Sequence, residues 1–288
     1  MVSNEYEQRS ADVIVRPKYL QGIQLQEAKY LLERYDYLGL NHLFKLLISD
    51  WEKSSDPLEN KIRNLLEIAN QWNGAKFAEF ATARGDAAKA RSDEWWWTAY
   101  EAAYLGVVRL NQGNPIEAMF HSFRAVEGLL AKWVDEYHFS RRIGERNDKI
   151  QLPKEIVLPN GRRTTIVNAY GKGLYWCLKT CQNINSDRSL EACRKVQPDR
   201  DKDEDIWVFG EYTLKKKNQL FHQLFGLEEI EVFGYWYTDD QSDWEARVLG
   251  CLNFLSEQYD FTSLKDASLM SQVHEELKDA IAQYELTL

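Results

Sequence analysis

Three consecutive lysines, an asparagine and a histidine fall within Tyr212 to Leu227, a stretch reading YTLKKKNQLFHQLFGL. Leu214, Leu220, Phe221, Leu224 and Phe225 recur at helical spacing, which predicts an amphipathic helix with one apolar face. Gly226 stands where a helix C-cap belongs. On that helix Asn218 and His222 are neighbours on one face, and Lys217 can swing its long side chain toward the same place. The helix therefore offers an imidazole, an amide and an ammonium around one point. An imidazole with a pKa near ~6.5 can give or take a proton at neutral pH. A fixed cation stabilises a phosphate, and Asn218 can hold a phosphate oxygen or orient His222. Lys215 and Lys216 extend the positive charge on the approach. A single histidine on a helix is more often structural than catalytic, so the case for His222 rests on these neighbours. The remaining histidines, His42, His121, His138 and His274, read as structural.

The elements that must position this helix are themselves helical. Apolar residues recur with helical period from Leu25 to Leu47, broken near Tyr37-Leu38-Gly39, which predicts a hairpin of Gln24–Tyr35 and Leu38–Ile48. Pro57 suits the first turn of a helix running to about Trp72, where Asn73-Gly74 ends it. After Lys76–Ala83, Arg84-Gly85-Asp86 reads as a flexible connection, and a boundary is expected between about Arg84 and Ser92. Two further helices, Asp93–Asn111 and Pro115–Tyr137, meet at Gly113-Asn114-Pro115. Their small residues, among them Gly106 and Ala118, fit a tetratricopeptide-like pair, but no second copy follows at the expected ~34-residue period.

Residues 138 to 173 change character. Lys154–Val157 and Arg163–Val167 flank Pro159-Asn160-Gly161 and predict a small β-hairpin inserted between helices. Arg141, Arg142, Arg146, Lys149, Arg162 and Arg163 give this region a local basic excess. It is either a solvated surface or a place for phosphates beside a cleft. Further on, Leu174–Asn183 is helical in pattern, a polar loop runs to Asp205, and Ile206 begins the segment carrying the lysines. Ile230–Tyr237 is aromatic and β-branched, which suggests an extended strand or a short turn. Asp243–Tyr259 and Leu269–Leu286 are amphipathic helices.

Composition narrows the function class. A net charge of −9 argues against a protein that coats nucleic acid through its overall field and leaves room for a local basic cleft. Aromatic residues, ten tryptophans included, are heavily used, and filling helix interfaces explains them better than a base-stacking platform. Cys177, Cys181, Cys193 and Cys251 lack the second pair or histidine that a zinc site needs, so they read as buried free thiols and no metal or cofactor is expected. The N-terminus carries charges where a signal peptide needs an apolar core, and no apolar run approaches the ~20 residues that span a bilayer. The expectation is a cytoplasmic protein with no membrane contact.

The Lys217-Asn218-x-x-x-His222 spacing, set in a hydrophobic helix with a glycine soon after, resembles the signature of the HEPN ribonuclease superfamily. The resemblance runs most nearly to the C-terminal HEPN part of CRISPR-associated CARF–HEPN ribonucleases. It departs from that pattern at Lys217, where the family has arginine. The resemblance implies an all-α fold: an N-terminal helical region over 1–88 and a HEPN-like helical bundle over 89–288, with the hairpin as an insertion. No alternation of strands and helices precedes the bundle, so no complete CARF sensor is evident, and such a sensor or a regulatory partner would lie elsewhere. In the resembled enzymes a long helix with an Arg and a Glu three apart opens the bundle, and Arg124 and Glu127 occupy that place, either ordering the site or forming a structural ion pair.

The activity implied is metal-independent endonucleolytic cleavage of single-stranded RNA in prokaryotic antiviral defence. In it His222 moves protons, Lys217 binds the phosphate and Asn218 orients. Lys215, Lys216, Arg162 and Arg163 would hold the substrate, and a homodimer would bring two motif helices together into one composite site. A second reading from a different class is a non-catalytic helical adaptor, HEPN-like or tetratricopeptide-like, binding protein or RNA through aromatic faces. A third is a HEPN toxin or nucleotide-binding module held in check by a partner.

Overall fold

A computed structural model provides the fold and describes residues 20–48, 50–134, 156–157, 163–164, 204–214, 216 and 226–287. In chain order its helices are α1 (20–33), α2 (Tyr37–Leu47), α3 (Pro57–Asn73), α4 (Phe77–Arg84), α5 (Asp86–Ser92), α6 (Trp97–Asn111), α7 (Pro115–Val134), α8 (Glu204–Val208), α9 (Glu229–Tyr235), α10 (Gln241–Ser256), α11 (Leu264–Ala267) and α12 (Met270–Glu285). A wide π-turn, Phe209–Thr213, follows α8 directly. Helix thus dominates the described residues, as the all-α expectation requires. The β-structure among them is one antiparallel pair, β1 (Ile156–Val157) with β2 (Arg163–Thr164), in the register Ile156↔Thr164 and Val157↔Arg163. The Asn160-Gly161 turn and the helix expected over Leu174–Asn183 lie outside the described residues.

The chain forms two compact units. The described residues up to Ala90 group with those from Leu269 onward, and Arg91–Ser268 form the second unit. The C-terminal helix α12 therefore belongs with the N-terminal region, whereas a division at residue 88 would leave it with the second part.

In the first unit local signals set the helix ends. Tyr35 takes a left-handed φ of 57° between α1 and α2, and the Asp36 carboxylate accepts from the Gly39 amide at 2.9 Å. A Cβ on Gly39 would come within 2.7 Å of Asp36 Oδ2, so a larger residue there would displace the capping carboxylate. Asp56 accepts from the amides of Leu58 and Glu59, with Pro57 opening α3. The connection expected at Arg84–Asp86 is a single glycine, Gly85 at φ 101°, after which α5 starts at once. Ala87, Ala88 and Ala90 are strong helix formers, and they outweigh the loop character of Arg-Gly-Asp. Trp72, Leu66 and Phe44 are fully buried, and α12 closes this core against α3. Lys29 pairs with Glu285 at 2.7 Å, Arg84 with Glu276, and Tyr37 Oη lies 3.0 Å from His274 Nδ1. The Tyr35 ring stacks on the His274 imidazole at 4.4 Å, so this histidine has a structural setting.

In the second unit α6 is buried on every face, from Trp97 and Tyr100 through Val108, which makes it the central element. It meets α7 closely at Gly106, where a Cβ would stand 3.1 Å from the Ala118 carbonyl and 3.2 Å from the Ser122 amide. Sequence periodicity places the start of α6 at Asp93. It begins only at Trp97, because Trp95 and Trp96 turn out of the helix and the Trp96 ring packs edge-on to Phe261 at 5.8 Å. The stretch Ile230–Tyr237, expected to be an extended strand or a short turn, is helical through Tyr235 as part of α9. Its capping box joins Glu228 and Glu231, and Val232 and Phe233 with Trp236 face inward at helical spacing. Tryptophans 51, 72, 97, 133, 236 and 244 are buried, in keeping with the packing role read for these rings.

Glu101, on α6, is fully buried. Its carboxylate accepts from Trp97 Nε1 at 3.1 Å and from Ser268 Oγ at 2.5 Å. Arg91 lies within its field: burial lowers the pKa of that guanidinium, and Glu101 pulls it back up. Arg91 also donates to the Ala267 carbonyl. One carboxylate thus serves both the first and the last residue of the second unit.

Candidate functional site

Lys215, Lys217, Asn218, His222 and Arg162 lie outside the described residues, as do Arg141, Arg142, Arg146, Lys149, His138, Cys177, Cys181 and Cys193. Arg163 contributes its backbone to β2. What the structure describes is the platform from which the motif segment departs. Asp205, near the start of α8, pairs with Arg247 Nε at 3.3 Å. It can do so because residue 250 on α10 is glycine: a Cβ there would stand 1.9 Å from Asp205 Oδ2. Arg247 then donates to the carbonyls of Trp236 at 3.0 Å and Tyr237 at 2.6 Å. A single ion pair therefore ties α8, α10 and the end of α9 together.

The π-turn that follows decides which side chains face out. Phe209 is buried against Phe123 of α7 at 5.3 Å and stacks on Trp236 at 5.5 Å. Thr213 and Leu214 also point inward, whereas Tyr212 and Lys216, one helical turn apart, are exposed. The Tyr212 ring stacks on Tyr237 at 5.0 Å, and the Lys216 ammonium stands 5.7 Å from the Tyr235 ring centroid. Of the substrate-binding lysines expected from sequence, Lys216 is thus an exposed cation over an aromatic ring. Reasoning from sequence missed Tyr212, Tyr235, Tyr237 and Arg247. The turn-spaced pair Tyr212 and Lys216 was the signal that could have found the first.

Gly250→Ala is expected to destabilise the fold by about 1–3 kcal/mol, because Asp205 must leave Arg247 to make room. Urea unfolding checks this, and the cost should shrink in an Asp205→Ala background, where nothing is left to collide.

Arg124 and Glu127 both lie on α7. Arg124 is exposed with its guanidinium 5.9 Å from the Phe120 ring centroid, and Glu127 is half-buried. Nearby, Arg109 Nε pairs with Glu117 Oε2 at 2.7 Å. His121, half-buried, has its pKa lowered to about 4, first by burial and then by Arg109 and Arg124, against the pull of Glu117. Its unfolded value is ~6.5. The unfolded state therefore binds more protons between those values, and the stability this neutral imidazole contributes is lost as pH falls from about 6.5 toward 4. Thermal melts at pH 7 and pH 4.5 should show a smaller drop for His121→Asn than for the wild type.

Among the described residues no group of His, Cys, Asp and Glu gathers into a metal-holding set, and no helix is long and apolar enough to cross a membrane. Cys251 is buried and free, its thiol pKa pushed well up by burial. In the first unit a cavity of about 460 Å³ lies beside Lys45, Trp51 and Glu52, where Lys45 and Glu52 already pair at 2.8 Å. Set against protein-family models, curated proteins and solved structures, the chain matches none.

Proposed function

We propose that the chain is a metal-independent endoribonuclease of the HEPN type, acting on single-stranded RNA in the cytoplasm as part of prokaryotic antiviral defence. The observation that carries this reading is the spacing of Lys217, Asn218 and His222 on an amphipathic helix. It is supported by a mostly helical setting in which the segment entering the motif is clamped to α7, α9 and α10. The fold is then a HEPN-like bundle with the β1–β2 hairpin as an insertion. Arg162 and Arg163 of that hairpin, together with Lys215 and Lys216, hold the strand's phosphates. A homodimer sets two motif helices across one phosphodiester, and a CARF-type sensor or another regulatory partner controls it.

RNA supplies its own nucleophile, the ribose 2′-OH. One His222 accepts the 2′-OH proton as the oxygen attacks phosphorus. The second His222 of the dimer donates a proton to the departing 5′ oxygen as the P–O5′ bond breaks. The products are a 2′,3′-cyclic phosphate and a 5′-hydroxyl. Lys217 neutralises the crowded anionic phosphorane, and Asn218 fixes the imidazole or a phosphate oxygen. No step needs a metal, so labelled single-stranded RNA should be cut in EDTA. His222→Ala should lower the rate by about 10²–10⁴ while leaving the melting temperature unchanged. Equal cleavage by the variant would refute the assignment. A complete lack of cleavage by wild type, with a stable complex recovered on RNA or protein, would favour the adaptor reading.

A further inference from the structure

We propose that Tyr212, Tyr235 and Tyr237, with Lys216, form a stacking platform for the unpaired bases of a nucleic-acid strand. The proposal rests on the RNA-cutting reading above and adds to it a binding site made of residues the motif does not contain. Tyr212 is 48% exposed and Tyr237 61%, yet their rings hold a defined arrangement, stacked at 5.0 Å with planes 23° apart. Aromatic rings filling a core would be buried, as the neighbouring Trp236 and Phe209 are.

Tyr237 takes a left-handed φ of 61° directly after α9, and the Thr238 amide donates to the Phe233 carbonyl at 3.0 Å, the hydrogen bond that closes a helix C-terminus. The Arg247 guanidinium holds this turn through the carbonyls of Trp236 and Tyr237, and is itself fixed by Asp205. The second pair lies beside the first: Lys216 follows Tyr212 by one helical turn, and its ammonium lies over Tyr235, which ends α9 two residues before Tyr237. A tyrosine pair and a lysine–tyrosine pair thus share the described residues that flank the motif segment, Tyr212 and Lys216 before it in the chain and Tyr235 and Tyr237 after it.

The charge around them discriminates between occupants. Glu228, Glu229 and Glu231 at the start of α9 and Asp239 and Asp240 beyond its end are exposed. A strand held chiefly by its phosphates would be repelled there, so under this proposal ring stacking, which is sequence-tolerant, supplies the affinity. A double helix hides its base faces and cannot use such a platform.

The test is binding of the full-length protein to fluorescent 20-mers, read by anisotropy. The arms are a 2′-O-methyl RNA, which the proposed chemistry cannot cut, a DNA strand of the same sequence, and an RNA duplex. Tyr212→Ala and Tyr237→Ala should each weaken single-strand binding roughly ten-fold. Tyr212→Phe and Tyr237→Phe, which keep the ring, should restore it. The salt slope should stay unchanged in the alanine variants and fall by about 1 in Lys216→Gln. The duplex should bind far more weakly.

Single-strand binding by wild type with no loss in either alanine variant would overturn the platform and leave the ribonuclease reading standing. Tyrosine-dependent binding confined to the DNA strand would keep the platform and count against RNA as substrate. Binding to neither strand would remove both.

Discussion

Glu101→Leu is expected to cost the second unit about 3–5 kcal/mol, enough to unfold a domain of ordinary stability at modest temperature. The reason is the position of the carboxylate. It is fully buried on the central helix, accepts from Trp97 and Ser268, and offsets the charge of Arg91. Leucine fills much of the same volume, so the loss is electrostatic and not a cavity. The substitution leaves a partly buried guanidinium without its opposing charge and takes away the acceptor of an indole N–H and a hydroxyl. Glu101→Gln retains an acceptor oxygen and should cost less, about 1–3 kcal/mol. Urea denaturation followed by tryptophan fluorescence reports both. A loss below about 1 kcal/mol for the leucine variant would show that the network contributes little beyond packing. Because Arg91 and Ser268 are the first and last residues of this unit, its two ends should fray first in the variant, which hydrogen exchange would localise.

The second large effect concerns Lys217. Under the proposed chemistry, Lys217→Ala removes the cation facing the phosphorane and should lower RNA cleavage by about 10²–10³, the magnitude associated with losing one preorganised donor. Lys217→Arg should move the other way. Guanidinium adds a planar, two-pronged grip on phosphate that an ammonium lacks, and arginine is the residue at this place in the signature that the segment resembles. A rate for the arginine variant at or above that of the wild type, with the alanine variant strongly impaired, is the expected pattern in a fluorescent RNA assay. If alanine proves harmless, Lys215 or Lys216 supplies the charge or the site lies elsewhere. If the proposed homodimer forms the site, dilution below its dissociation range, followed by sedimentation, should abolish cleavage in step with dissociation, since each subunit would provide half of the catalytic groups.

Much of the helical framework is legible in the sequence, because its signals are local. Asp56-Pro57 starts α3, Gly74 ends it, and Gly113-Asn114-Pro115 turns α6 into α7. The places where sequence reasoning fails are those where tertiary packing overrides propensity. Ile230–Tyr237 is rich in β-branched and aromatic residues, yet its inward positions, Val232, Phe233 and Trp236, recur at helical spacing and Glu228–Glu231 close a capping box. The Arg-Gly-Asp at residues 84–86 looks like a loop, but only Gly85 departs from helix. The π-turn at Phe209–Thr213 has no sequence signature, and it is what sends Tyr212 and Lys216 outward.

The candidate site divides along the same line. The residues that could do chemistry are visible as a motif, since proton transfer and phosphate binding each demand particular side chains. The supports are not visible, because Asp205, Arg247 and Gly250 are ordinary residues until the fold brings a carboxylate against a helix that has no Cβ to block it. The tyrosines were absorbed into a general preference for aromatic packing. Only exposure separates Tyr212 and Tyr237 from the buried rings around them.

The most direct measurement is the chemistry of the cut end. Wild-type protein incubated with single-stranded RNA in EDTA should yield fragments ending in a 2′,3′-cyclic phosphate, with 5′-hydroxyl partners, and His222→Ala should yield them slower by about 10²–10⁴. Fragments with 3′-hydroxyl and 5′-phosphate ends, or cyclic-phosphate products formed at the wild-type rate by the histidine variant, would contradict the account.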